Sequence, residues 1–339
     1  MWNLLAASAV AASPPTDLTT AYTCARVGVM VGPEDLEPDG DRLLVSSDHR
    51  RPDDTGGGAI WSVDPATGST KALTVVGRDA CAFHPHGMTV RDGELWVVVH
   101  LSEDEASHPS CPPATDGSGP VRDAVERFRL GPDRMEFVER LSSPLLREPN
   151  DLVFLGDTLY VTDNPEYTLT GLLTGVVFGR RPSRVLAWDG SWSVAAKRFL
   201  YSNGVIANDD RLVVGAYGGV LTSLGPKAGG WKRDDVTRLD GALDNLMRGD
   251  DGRLWVAGHP EPIAFAKHAA NPTKIGPSII YALEPDGPRW TPAITLDDHG
   301  GTVQASSTAI YWRGDLWIGQ VFEPGVVRCA PRPSPQDGP

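Results

Sequence analysis

Six short runs along the chain share one alternation of polar and apolar positions. They are DRLLVS at Leu43, GELWVV at Leu95, DTLYVT at Leu159, DRLVVG at Leu212, GRLWVA at Leu254 and GDLWIG at Leu316. Each reads as a tight turn feeding a strand of β-branched and aromatic residues. Successive leucines lie 52, 64, 53, 42 and 62 residues apart. A period of about fifty residues is that of a four-stranded propeller blade with loop insertions. One blade cannot bury both of its faces, so neighbouring blades must stack around an axis. Six repeats therefore predict an all-β, six-bladed propeller with a central tunnel. Long amphipathic helical patterns are scarce, which argues against the α/β classes.

Nine residues ahead of each leucine stands a polar residue: Glu34, His86, Asn150, Asn203, Asn245 and Ser307. Beside them are Asp35, Gly87, Asp151, Gly204, Asp244 and Thr308. The strand ahead of such a hairpin is the innermost of its blade, so the equivalent positions are expected to ring the tunnel. Glu34 and Asp244 bring negative charge; Asn150, Asn203 and Asn245 bring neutral carbonyl oxygens. Hard oxygen donors, roughly six to eight per ion, suit Ca2+ rather than Zn2+, which prefers His and Cys. Asp35 and Asp151 adjoin the ring. Because side chains alternate along a strand, they are expected to serve a second cation site or a buried hydrogen-bond network. Taken singly, each ring residue reads as a water-binding tunnel position; the phased set favours a metal.

The 339 residues carry a formal charge of −13. That argues against nucleic-acid binding, which needs clustered Lys and Arg. With 37 Gly and 29 Pro, turns are frequent. No run of apolar residues is long enough for an ordinary transmembrane helix. The expected organisation is an apolar N-terminal segment over 1–20, the propeller over 21–332 and a disordered tail over 333–339. The first segment, MWNLLAASAVAASPP, reads as a trimmed signal sequence or an apolar anchor, with membrane or lipid association as its consequence. Nucleophile-elbow, zincin, P-loop, C-x-x-C and complete EF-hand motifs are absent.

The chain resembles the paraoxonase family of six-bladed propeller lactonases and arylesterases. The resemblance rests on PEDLEPDG (33–40), FHPHGMTV (83–90), LWVVVH (95–100), EPNDLV (148–153) and YSNGVI (201–206). It continues through LDNL (243–246), LWVAGHP (254–260), GTVQASSTA (301–309) and IGQVF (318–322). It runs in order from about Cys24 to Cys329.

Carried over position by position, it implies a catalytic Ca2+ held by Glu34, Asn150, Asn203, Asp244 and Asn245. It implies a structural Ca2+ held by Asp35, Asp151 and the backbone carbonyl of Met88, and a water-activating pair, His86 and His100. His259 is expected at the site, and Tyr201, Val321 and Phe322 as apolar walls. His49, His108 and His268 read as packed or surface histidines. The resemblance also implies a Cys24–Cys329 disulfide closing the ring, hence an oxidising, secreted or periplasmic location. Cys81 and Cys111 form either a second bridge pinning an insertion or two separate thiols.

Departures are Gly258 where the family often has cysteine, the charged loop SSDHRRPDDTGGG (46–58), and the acidic insertion 101–120. The expected activity is calcium-dependent hydrolysis of small-molecule lactones and aryl esters, with promiscuous phosphotriester hydrolysis left open. The alternatives are a gluconolactonase-like or strictosidine-synthase-like propeller enzyme, or a non-catalytic binding propeller.

Overall fold

The computed structural model describes residues 14–51, 56–109, 111, 121–165 and 180–333. The apolar leader over 1–13, positions 112–120 of the acidic insertion and the tail from 334 lie outside the described residues. Six antiparallel sheets are present. Blade one comprises Pro33–Asp39, Arg42–Ser47, Ala59–Val63 and Thr70–Ala72. Blade two comprises His84–Arg91, Glu94–His100, Asp123–Leu130 and Arg134–Leu141, with Thr74–Val76 added in parallel at its outer edge. Blade three runs Pro149–Leu155, Thr158–Asp163, Ser183–Trp188 and Trp192–Phe199. Blade four runs Ser202–Asn208, Arg211–Ala216, Val220–Lys227 and Gly230–Arg238. Blade five runs Ala242–Arg248, Leu254–His259, Ser278–Asp286 and Arg289–Asp298. Blade six runs Ser306–Trp312, Asp315–Gln320 and Val326–Pro331.

The fourth strand of blade six is Tyr22–Val27, from the other end of the chain. Cys24 stands directly opposite Cys329 in this pair, and the two form a disulfide. Ring closure is therefore both hydrogen-bonded and covalent. Upstream, Thr16–Asp17 pairs in parallel with the outer strand of blade five, and buried Leu18 joins Tyr22 in the core between blades five and six. Cys81 and Cys111 form the second bridge. They pack with Leu101 and Ala106 as a small apolar cluster at the start of the acidic insertion.

The six repeat leucines, Leu43, Leu95, Leu159, Leu212, Leu254 and Leu316, are all fully buried. They lie on the second strand of each blade, which is covered on both faces by its neighbours. That double burial is why these strands read as short, nearly continuous apolar runs. The turns before them demand special residues: Asp92 and Gly93 both have positive φ, 54° and 75°, as a two-residue type I′ hairpin requires. Among the described residues no helix is long and apolar enough to cross a membrane.

The six innermost strands contact one another in cyclic order around the axis. Each carries a break in register at its start: between Pro33 and Asp35, Pro85 and Met88, Pro149 and Leu152, Ser202 and Val205, Leu243 and Leu246, and Ser306 and Thr308. The sequence-derived ring residues sit in these six bulges. A bulge sets two residues against one on the partner strand and re-aims the local side chains. Strict alternation is suspended where the ring is built.

Candidate active site

Glu34, Asn150, Asn203, Asp244 and Asn245 are all buried, at the starts of the innermost strands. Asn245 donates its amide to the Glu34 carbonyl at 3.3 Å. Asp244 accepts from His259 Nε2 at 2.9 Å, and the Asn203 side chain also hydrogen-bonds it. Yet the Oδ1 atoms of Asn150, Asn203, Asp244 and Asn245 are buried with no hydrogen-bond partner. An orphaned buried acceptor costs about 1–3 kcal/mol, so four in one ring need an explanation. Among the described residues no group of three or more His, Cys, Asp or Glu forms a metal cage. The set is instead rich in amide carbonyls, the donor chemistry of a hard, flexibly coordinated cation such as Ca2+. The residues present fit that ion.

Asp35 and Asp151 interlock the blades below this ring. Asp35 accepts from its neighbour Leu36 N–H at 2.9 Å and from Met88 N–H of blade two at 2.8 Å. Asp151 repeats the pattern with Leu152 N–H at 2.7 Å and Val205 N–H of blade four at 2.7 Å. Glycine follows the ring residue in blades two and four because backbone passes close by. A Cβ on Gly87 would lie 2.4 Å from Asn150 O, and one on Gly204 would lie 2.6 Å from Leu246 N. Burial, then the charges of Asp151 and Glu34, push the Asp35 carboxyl well above its usual range; burial does the same to Asp151. Two such acids close together fit a second cation as well as the hydrogen-bond network seen. The Met88 amide ties this strand of blade two to Asp35.

His86 stands on the opposite side of Glu34. Its Nε2 lies 3.1 Å from Glu34 Oε1 and 3.5 Å from Asn150 Nδ2. Its Nδ1 meets His100 Nε2 at 2.9 Å, and His100 Nδ1 meets Asp123 Oδ1 at 2.8 Å. Burial lowers the His86 pKa to about 4, against the opposing pull of Glu34. Burial would raise Glu34, but the fields of His86 and Arg50 outweigh it and hold that carboxylate low.

The charged loop of blade one frames the site. Asp48 Oδ1 binds His84 Nδ1 at 2.9 Å, and His84 Nε2 binds Glu105 at 3.0 Å in the short helix Glu103–Ala106 of the acidic insertion. Arg50 donates to Pro85 O at 2.9 Å and lies 3.5 Å from Glu34 Oε2. Arg51 donates to the His268 and Ala269 carbonyls at the end of helix Pro262–Ala270, and to Glu323 at 2.8 Å. From that helix Phe265 stacks on His259, with ring centroids 4.1 Å apart, and reaches Phe322 at 5.5 Å.

The structure thus gathers the expected ring residues with His86, and His100 behind it. It joins His259 and Phe322 through Phe265. Tyr201 stands at the head of blade four beside Tyr217, and Val321 follows the second strand of blade six, its amide bonded to Ala305 O. His268 is fully buried. Sequence reading flagged the loop that carries Asp48, Arg50 and Arg51 but not these residues singly, and it missed Asp123 and Phe265; Asp123 is paired across the sheet from His100, a register that only the structure shows.

No family model matches the chain. It is 24% identical over 323 residues to human serum paraoxonase/arylesterase 1, covering 87% of this chain and 85% of that one. It is 22% identical over 288 residues to human serum paraoxonase/lactonase 3, covering 80% and 76%. It is also 28% identical to the strictosidine synthase-like 10 protein of Arabidopsis thaliana, over 50% of this chain and 52% of that one. Among solved structures, a protein provisionally named a gluconolactonase superposes with a TM-score of 0.55 at 16% identity, over 92% of this chain and 93% of that one. Sequence and fold therefore agree with the resemblance read from the ring residues: the chain is a six-bladed β-propeller similar, along most of its length, to the serum paraoxonases.

Proposed function

We propose that this propeller is a Ca2+-dependent hydrolase of lactones and aryl esters. The observation that carries the reading is the set of four buried, partnerless oxygens on the innermost strands that also carry Glu34 and the His86–His100 pair. Glu34, Asn150, Asn203, Asp244 and Asn245 would hold the catalytic ion, and Asp35 and Asp151 a structural one. When bound, the catalytic ion polarises the substrate carbonyl and offsets the charge that develops on its oxygen.

The rest of the chemistry belongs to the chain. His86 Nε2, beside the ring, accepts a proton from the attacking water. A neutral imidazole is needed for this, and burial of His86 favours that form. His100 takes up the proton on the far side of the His86 ring. His259, stacked on Phe265, orients the Asp244 carboxylate. Phe265 and Phe322 give an apolar wall suited to an aryl or alkyl leaving group, and exclude water from that side. Two disulfides support an oxidising, extracytoplasmic location.

The test is a panel of phenyl acetate, γ- and δ-lactones, sugar lactones and acyl-homoserine lactones, assayed with and without chelator. Calcium-dependent turnover on members of the panel supports the reading. Binding without turnover of any of them would point to a non-catalytic propeller. Activity confined to sugar lactones would point to a gluconolactonase-like enzyme.

A further inference from the structure

The two segments that depart from the family resemblance, the charged loop 46–58 and the acidic insertion 101–120, meet at one side chain. His84, at the start of the inner strand of blade two, turns Nδ1 to Asp48 Oδ1 at 2.9 Å and Nε2 to Glu105 Oε1 at 3.0 Å. An ionised carboxylate only accepts hydrogen bonds, so both ring nitrogens must donate. A neutral imidazole has a single N–H. The two bonds stand together only on an imidazolium. Neither contact involves the oxygen ring.

The surroundings favour that charge. Asp48 is buried, with its side chain 8% exposed, while that of Glu105 is 36% exposed. Glu103 and Asp104 share the short helix with Glu105. Arg50, from the same loop as Asp48, is turned to the Pro85 carbonyl and to Glu34. Across the sheet His84 pairs with His100, whose Nδ1 is taken by Asp123. His86, further along the strand, is turned to Glu34 and His100. The His84 pKa is raised from 6.5 to about 9, first by the hydrogen bond to Asp48 and against the effect of burial. Burial would raise Glu105, but the Ser102 amide and then His84 hold its carboxyl below the usual range.

We infer that His84 is a charged pin that fastens the insertion helix Glu103–Ala106 to the blade-one loop, and that loss of its proton releases the helix. Deprotonation gives one proton to solvent and leaves one N–H for two carboxylates. That N–H stays with Asp48, the more buried partner, because an unbonded acceptor costs most where water cannot reach it. Nε2 then turns a lone pair on Glu105, acceptor against acceptor. Glu105 can move away, since its exposed oxygen takes water and its other oxygen keeps the Ser102 amide at 2.9 Å. The capping box therefore survives, and the helix leaves as a unit. The Cys81–Cys111 disulfide, with Cys111 Sγ 3.1 Å from the Glu105 carbonyl, limits how far it travels. The pin is closed at neutral pH and opens as pH rises through about 9. None of this depends on which reaction the site performs.

The test follows the His84 ring by 15N NMR and the helix by hydrogen exchange, in the full chain. At neutral pH both ring nitrogens should be protonated, with a titration midpoint near 9. Glu105→Gln keeps the size of the side chain at a part-exposed position, so it should fold as the wild type and lower the midpoint toward 6.5. Exchange at Ala106, Ser107 and His108, whose amides bond within the helix, should speed up above the wild-type midpoint once the intrinsic rise of exchange with pH is divided out. His84→Asn should show the fast exchange already at neutral pH and no further step. Amides of blade four should be unchanged throughout.

A midpoint at or below 6.5, or one that Glu105→Gln leaves in place, would overturn the charged pin. A raised midpoint with helix exchange that neither pH nor His84→Asn alters would overturn the release. Should His84→Asn not fold, the step in wild-type exchange across the midpoint decides the same point.

Discussion

Replacing Asn203 by leucine should make the protein more stable without calcium and less stable with it. The Asn203 side chain is buried and its Oδ1 has no partner. Leucine has nearly the same shape and no polar atoms. Removing an unsatisfied buried acceptor returns about 1–3 kcal/mol, while losing the hydrogen bond to Asp244 costs about 1 kcal/mol. The metal-free variant should therefore gain about 0–2 kcal/mol. With calcium the balance reverses. At a concentration a thousandfold above the wild-type Kd, binding stabilises the wild type by about 4 kcal/mol. If the missing oxygen weakens affinity about a hundredfold, the variant gains only about 1.4 kcal/mol under the same conditions. Thermal or denaturant unfolding of both proteins, in chelator and in excess calcium, should give curves whose order inverts. A variant less stable than the wild type in chelator, with the same response to calcium, would refute the claim that this oxygen awaits a cation.

Other outcomes follow from the same geometry. His86→Gln should fold and retain calcium but lose roughly 10²–10⁴-fold in turnover on aryl esters, as removal of a general base does; unchanged turnover would move the base elsewhere. The His84 pKa is raised from 6.5 to about 9, first by its hydrogen bond to Asp48. Its stabilising contribution is thus complete below pH 6.5 and fades as pH rises through about 9. After discounting for partial exposure this is about 1 kcal/mol, so the stability gap between wild type and His84→Asn should narrow between pH 6.5 and 10. Replacing Cys24 and Cys329 together by serine should lower stability by up to about 5 kcal/mol, the chain-entropy bound for so long a loop; denaturant unfolding that matches the wild type would show that strand pairing alone closes the ring. Arg51→Gln should speed amide exchange in helix Pro262–Ala270, whose last carbonyls Arg51 caps; unchanged exchange there would show that the loop does not hold the helix.

The architecture was legible because the propeller repeats itself. A leucine that is always buried, behind a turn that always needs Gly or Asp, gives a period that survives loop insertions. The ring was legible because it is phased to the same leucine. Its internal geometry was less so. Asp35 and Asp151 stand at register breaks where strict alternation is suspended, their partners are amides exposed by those bulges, and bulges leave no pattern in a single sequence. The contacts of Arg51 with His268 and of Arg50 with Pro85 join residues far apart in the chain. Only folding brings them together, and a charged loop reads the same whether it faces solvent or clamps a helix. Phe265 was hidden for a related reason. It sits in a short helix between two strands of blade five, where the repeat gives no register. Cys81 and Cys111, whose pairing was open on sequence grounds, form a disulfide and share an apolar cluster with Leu101 and Ala106.

The most direct test of calcium at the centre of this propeller is turnover of phenyl acetate and a δ-lactone by protein stripped of metal, with the metal content verified by elemental analysis. The stripped protein should be inactive and should regain activity on adding Ca2+. Full activity in verified metal-free protein would contradict the account.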